Sequence, residues 1–121
     1  LWARDAQAAK NLTQTHENAK YLAGFALGDI RAESDLEAAL RCATHLVSAL
    51  PCAAVPDLAC SLRNHLSPEC ILISGTKGLH PESGWRASQM WEEFGGVGAQ
   101  NFVTLSGPNL AREVVAMIPT S

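Results

Sequence analysis

Several features that would settle a protein's class at once are missing from this chain. No stretch approaches the ~18 consecutive apolar residues of a membrane-spanning helix, and no basic segment runs into an apolar one as a secretory leader does. The sequence therefore predicts a cytosolic type of protein with no membrane span. Basic charge is not in excess: nine Lys and Arg stand against twelve Asp and Glu, a formal net charge of -3. That balance argues against nucleic acid as a partner, because a polyanion needs a basic face. The four cysteines, Cys42, Cys52, Cys60 and Cys70, include no C-x-x-C pair and have apolar neighbours, so free buried thiols are expected rather than disulfides or a zinc centre. His16, His45, His65 and His80 are scattered, which suits cap, surface or packing roles and no metal. Internal repeats, low-complexity tracts and linkers are also lacking.

What remains is an ordinary globular composition in 121 residues, 47% hydrophobic and 17% charged, with mean hydropathy +0.02. That length suits one domain or part of one. Short apolar runs alternate with segments of helical period, the pattern of a parallel sheet with crossover helices. Strands are expected at 30–32, 45–50, 70–74 and 101–105, and Leu1–Ala3 reads as the tail of another. Asp5 is placed to cap a first helix through Ala6, Ala8, Ala9 and Leu12. Ser34 and Glu37 have capping-box spacing ahead of Leu36, Ala39, Leu40 and Ala43. Val55, Leu58, Ala59, Leu62 and Leu66 predict a third helix, and Ala87, Met90, Trp91 and Phe94 a fourth, with Trp85 and Trp91 as packing residues. A last helix is expected from an Asn109 cap through Ala111, Val114, Val115 and Ile118 to Pro119.

In open parallel sheets ligands bind beyond the carboxyl ends of the strands, where helix N-termini also point. Three stretches fall there: "WARD" at 2–5, "SGTKGL" at 74–79 and "SGPNLARE" at 106–113. Arg4 is either a solvated residue at a helix start or the cation that holds a ribose 2′-phosphate, which favours NADP over NAD. Gly107 and Asn109 form either a plain turn with a cap or a turn whose amides face a phosphate. Lys77, between Gly75 and Gly78, is either a loop residue or a point charge for an anionic ligand.

Taken in order, "LWARD", "THENAKYLAG", "SDLEAAL", "SGTKGL" and "SGPNLAREV" resemble the N-terminal domain of NAD(P)-dependent glycerol-3-phosphate dehydrogenases, across essentially the whole chain. The resemblance implies a Rossmann-type α/β fold with helices flanking a parallel sheet. It also implies reversible hydride transfer between NAD(P)H and dihydroxyacetone phosphate, giving sn-glycerol 3-phosphate for phospholipid synthesis. On this matching Lys77 contacts the substrate and lies near the nicotinamide, Gly107 and Asn109 line the substrate site, and Asn109 stands where serine is more common. Arg4, Tyr21, Lys77 and Ala111 fall on cofactor positions. The implied partners are a small phosphate substrate and, for the intact enzyme, a second copy in a homodimer; the implied compartment is the cytoplasm, or an organelle if a targeting segment precedes Leu1.

The same matching puts the family's first strand and its Gly-rich pyrophosphate turn before Leu1, and its helical substrate domain after Ser121. Residues 1–121 then form a partial NAD(P)-binding domain with no catalytic residue of its own, since the family's second lysine falls in that later domain. With the central strand absent, this chain alone is expected to be marginally stable and inactive. A reading of another class stands beside it: a truncated, non-enzymatic Rossmann-like module that acts by pairing its sheet edges with a partner chain.

Overall fold

The computed structural model describes residues 1–108 and 110–119. In chain order the elements are α1 (Ala6–Thr15), α2 (Leu36–Leu40), β1 (His45–Ser48), α3 (Val55–Leu62), β2 (Ile71–Ser74), α4 (Ala87–Gly95), β3 (Phe102–Thr104) and α5 (Ala111–Val115). They fall into two compact units: Leu1–Arg41 with Gly107–Ser121, and Cys42–Ser106.

The Cys42–Ser106 unit holds a three-stranded sheet in the order β1-β2-β3, both pairings parallel. Parallel neighbours need crossovers, and α3 and α4 supply them. The register aligns Val47 with Ile73 and Val103, and Ser48 with Ser74 and Thr104. Because side chains alternate across a strand, the first row and the second row lie on opposite faces. Leu72 and Ser74 are buried, whereas Val47 and Val103 are exposed.

α3 follows Pro51 and a 3-10 turn at Cys52–Ala54, with Pro56 in its first turn, where a missing N–H costs no helical bond. Its buried residues Val55, Ala59 and Leu62 recur at helical spacing and pack against α4. On α4 the buried positions are Met90, Trp91 and Gly95. Gly95 leaves room for the Trp91 ring one turn earlier on the same helix, from which an added Cβ would lie 2.8 Å, and faces Ala59 of α3 at 3.5 Å. Gly96, at φ +69, then ends the helix in the left-handed conformation that glycine tolerates. Trp91 is fully buried, as expected of a packing residue, and Trp85 is half-buried with its ring centroid 6.1 Å from that of Phe94.

In the other unit Asp5 caps α1 as expected, its Oδ1 accepting the Ala8 N–H at 2.7 Å. Ala9 and Leu12 are the buried residues of that helix. The strand expected at 30–32 is reduced to one parallel bridge between Trp2 and Glu33, framed by Ala3 N–H to Glu33 O and Glu33 N–H to Leu1 O. Ala32 gives its N–H to the Thr13 hydroxyl and its carbonyl accepts from that hydroxyl, so neither group is left to continue the ladder. Capping of α2 also differs from expectation: Asp35, not Ser34, is the cap, and its carboxylate accepts from Glu37 and Ala38. An ionised acceptor holds two orphan amides better than a hydroxyl does. The cysteines are all free, but burial holds for Cys70 alone; Cys42 and Cys60 are exposed and Cys52 is half-buried. An apolar neighbour in sequence lies across a strand or around a helix, so it does not imply the same face.

Candidate functional site at the strand ends

The parallel strands of the Cys42–Ser106 unit all end on one edge of the sheet, and the residues there are small and hydroxylic. The last aligned rung is Ser48, Ser74 and Thr104. Beyond it the ladder continues by two backbone bonds, Gly75 N–H to Ser48 O at 2.7 Å and Leu105 N–H to Ser74 O at 2.8 Å. Ser74 is 1% exposed and its Oγ accepts the Thr76 N–H at 3.4 Å, which turns the chain out of the strand. Lys77 follows with its side chain exposed. Gly78 has φ +80, a conformation that an L side chain adopts only with strain, so this glycine is required by the turn. Gly75 makes only ordinary contacts at 3.8 and 3.9 Å for an added Cβ, so close approach does not demand it.

Two hydroxyls at this edge, Ser48 Oγ and Thr76 Oγ1, are buried and have no hydrogen-bond partner among the described residues. A buried polar atom without a partner is costly, so such atoms commonly meet a ligand or ordered water. After the turn, His80 Nδ1 accepts from Ser83 N–H at 3.3 Å and lies 3.1 Å from Ser83 Oγ. With the ring nitrogen accepting from the backbone, the neutral imidazole carries its proton on Nε2. Among the described residues no cluster of three His, Cys, Asp or Glu is arranged to hold a metal ion, and no helix is long and apolar enough to cross a membrane.

Over residues 1–121 the sequence matches the family described as the NAD-dependent glycerol-3-phosphate dehydrogenase N-terminus. The chain belongs to this family. It is 35% identical to the glycerol-3-phosphate dehydrogenase [NAD(P)+] of Corynebacterium urealyticum, with all of this chain aligned to 37% of that protein. Its fold is similar to that of a glycerol-3-phosphate dehydrogenase from Coxiella burnetii, with a TM-score of 0.86 over 99% of this chain and 36% of that one at 24% identity. A Dunaliella salina structure titled DsGPDH superposes with a TM-score of 0.80 and 27% identity, covering 93% of this chain and 20% of that one. The chain thus spans little more than a third of the length of the curated relative it matches.

In this chain Lys77 stands beyond the end of β2, at the carboxyl edge of the sheet. Arg4 is exposed, between the Trp2 bridge and the Asp5 cap of α1. Tyr21 is 65% exposed, in a loop where Asn18 Oδ1 accepts its N–H at 3.3 Å, and Lys20 Nζ lies 5.0 Å from its ring centroid. Gly107 is half-buried at φ +151, and Ala111 is the exposed first residue of α5. Asn109 lies outside the described residues. α5 has five residues, ends at Val115 short of the expected Ile118, and is preceded by Leu110, which makes no side-chain cap. So short a helix has little dipole to aim at a phosphate. Sequence reasoning overlooked Ser48 and Cys52 beside the lysine turn and gave Ser74, within the stretch it singled out, no role of its own. Serine and cysteine at strand ends carry no distinctive signal until the register places them.

Proposed function

We propose that this chain is the cofactor-binding part of an NAD(P)-dependent glycerol-3-phosphate dehydrogenase, which interconverts dihydroxyacetone phosphate and sn-glycerol 3-phosphate as a phospholipid precursor. The observation that carries the reading is the family match over all 121 residues. The chemistry of the strand-end turn agrees with it. A ketone undergoing reduction gains negative charge on oxygen, and the substrate brings a phosphate dianion; a lysine presented on a turn beyond the strand ends suits either charge. Small residues and two buried hydroxyls with no partner among the described residues at that edge suit a flat polar ring. Those residues would hold the nicotinamide, which supplies the hydride when bound. Substrate roles for Gly107 and Asn109, cofactor roles for Tyr21 and Ala111, NADP preference through Arg4, a homodimer and a cytoplasmic location belong to the same reading.

The test uses the full-length protein that carries this chain, assayed for oxidation of NADPH and NADH with dihydroxyacetone phosphate. Turnover is expected, and Lys77→Ala should lower kcat/KM by ~100-fold or more, the usual cost of one group placed against developing charge. An unchanged kcat/KM in that variant refutes the role of Lys77. The second reading, a non-enzymatic interaction module, is favoured by the outer strands: β1 and β3 each pair on one side, and Val47 and Val103 are 63% and 49% exposed. Failure of the full-length protein to bind NADPH or to turn over the substrate would select it.

A further inference from the structure

The turn that carries Lys77 is tied at both ends to a single neighbouring segment. At its start, Gly75 N–H donates to Ser48 O at 2.7 Å, and Ser48 is the last residue of β1. At its end, the Cys52 thiol donates from Sγ to Gly78 O at 3.7 Å. Cys52 is half-buried and opens the 3-10 turn that leads from β1 into α3. Thr76 and Lys77 are thus suspended between two anchor points on the β1–α3 connection, with Thr76 N–H held in addition by Ser74 Oγ.

The second anchor matters because packing does not hold Gly78. An added Cβ there would meet no heavy atom within 4 Å, and at φ +80 a glycine without its carbonyl bond has a wide range of accessible conformations. Sulfur suits the span. The thiol is a weak donor whose long bonds and large radius make contact across this distance, and a serine hydroxyl reaches the same carbonyl with a small shift of the turn.

We propose that Cys52 is a positioning residue for Lys77: its thiol holds the Gly78 carbonyl and so sets the direction in which the turn presents the lysine. Cys52 acts through the turn and not on the reacting atoms. The inference rests on the reading of Lys77 as a substrate contact, and the experiment separates the two.

In the full-length protein, Cys52→Ala is expected to lower kcat/KM for dihydroxyacetone phosphate by ~3-fold to 10-fold, the effect of one modest hydrogen bond. Cys52→Ser, which retains a donor, should recover most of the loss. In a Lys77→Ala background, Cys52→Ala should have no further effect, because the residue acts through the lysine. Equal losses in both backgrounds would overturn the proposal. Amide hydrogen exchange over residues 75–79 gives a readout that needs no activity and decides even where the Lys77 variant is too slow to assay: exchange there should quicken by ~5-fold in Cys52→Ala and not in Cys52→Ser. Unchanged exchange overturns the tether whatever the enzyme does. Faster exchange in a protein that does not turn over the substrate supports the tether and sinks the functional reading.

Discussion

At the scale of single residues, burial and backbone angle separate groups that look alike in sequence. Gly75 and Gly78 flank Thr76 and Lys77 symmetrically, yet only Gly78 is required by its φ of +80. Cys70 differs from the other three cysteines in the same way. It is 5% exposed, and burial pushes its thiol above the ordinary value of 9.0, because a thiolate is poorly solvated there. The folded state therefore holds the proton to higher pH than the unfolded chain does. This contribution to stability is complete below the unfolded thiol's pKa and is lost as pH rises from about that value through the folded one. Thermal stability is expected to fall off above pH 9, and less steeply in Cys70→Ala. Thiol titration should find Cys42 and Cys60 reactive in the native protein and Cys70 reactive only on unfolding.

At the scale of elements, the α3–α4 pair carries the packing of the sheet unit. The α3 face of Val55, Ala59 and Leu62 packs against α4, whose buried residues are Met90, Trp91 and Gly95, and the absence of a side chain at Gly95 leaves room for the Trp91 ring. Gly95→Ala gains helix propensity worth ~1 kcal/mol but drives a methyl to 2.8 Å from a fully buried indole. The fully buried ring must shift to admit it, and overpacking of this kind costs ~1–3 kcal/mol. The melting temperature should drop by several degrees, as calorimetry would show; an unchanged or raised value would mean that the ring relaxes. Helix spacing made α3 and α4 legible, since four apolar positions at a period of 3.6 leave little alternative. The strand at 30–32 was not resolvable in that way: Ile30, Arg31 and Ala32 are too few to show a period, and the Thr13 hydroxyl that takes both backbone groups of Ala32 lies on a distant segment. The α2 cap had a similar ambiguity, because Ser34 and Asp35 both have capping chemistry and only the backbone geometry selects the aspartate.

At the scale of the whole molecule, burial is unequal. Among the described residues ten hydrophobic side chains are buried; eight of them, from Val55 to Val97, belong to the Cys42–Ser106 unit, and only Ala9 and Leu12 to the other. Folding stability is a small difference between apolar burial and chain entropy, so a unit with two buried apolar side chains has little to offset its ordering. Expressed on its own, the 121-residue chain is expected to unfold with weak cooperativity. Amide exchange should show protection concentrated in α3, α4 and β2, with residues 1–41 exchanging readily. A single sharp thermal transition with uniform protection would contradict this.

The sequence by itself determined the class of fold and the family. Alternating periods specify an α/β arrangement, and five ordered motifs are specific enough to place the chain in the family of the glycerol-3-phosphate dehydrogenase N-terminus. Both are local properties, set by spacing along the chain. Only the tertiary structure decided what surrounds that lysine. Pairing β1 with β2 in one register brings Ser48 and Cys52 to the two ends of a turn more than 20 residues away in sequence. A one-residue slip would turn Ser48 to the opposite face and misplace both anchors. The charge on Lys77 is written in the sequence, and the direction in which it is presented depends on that register.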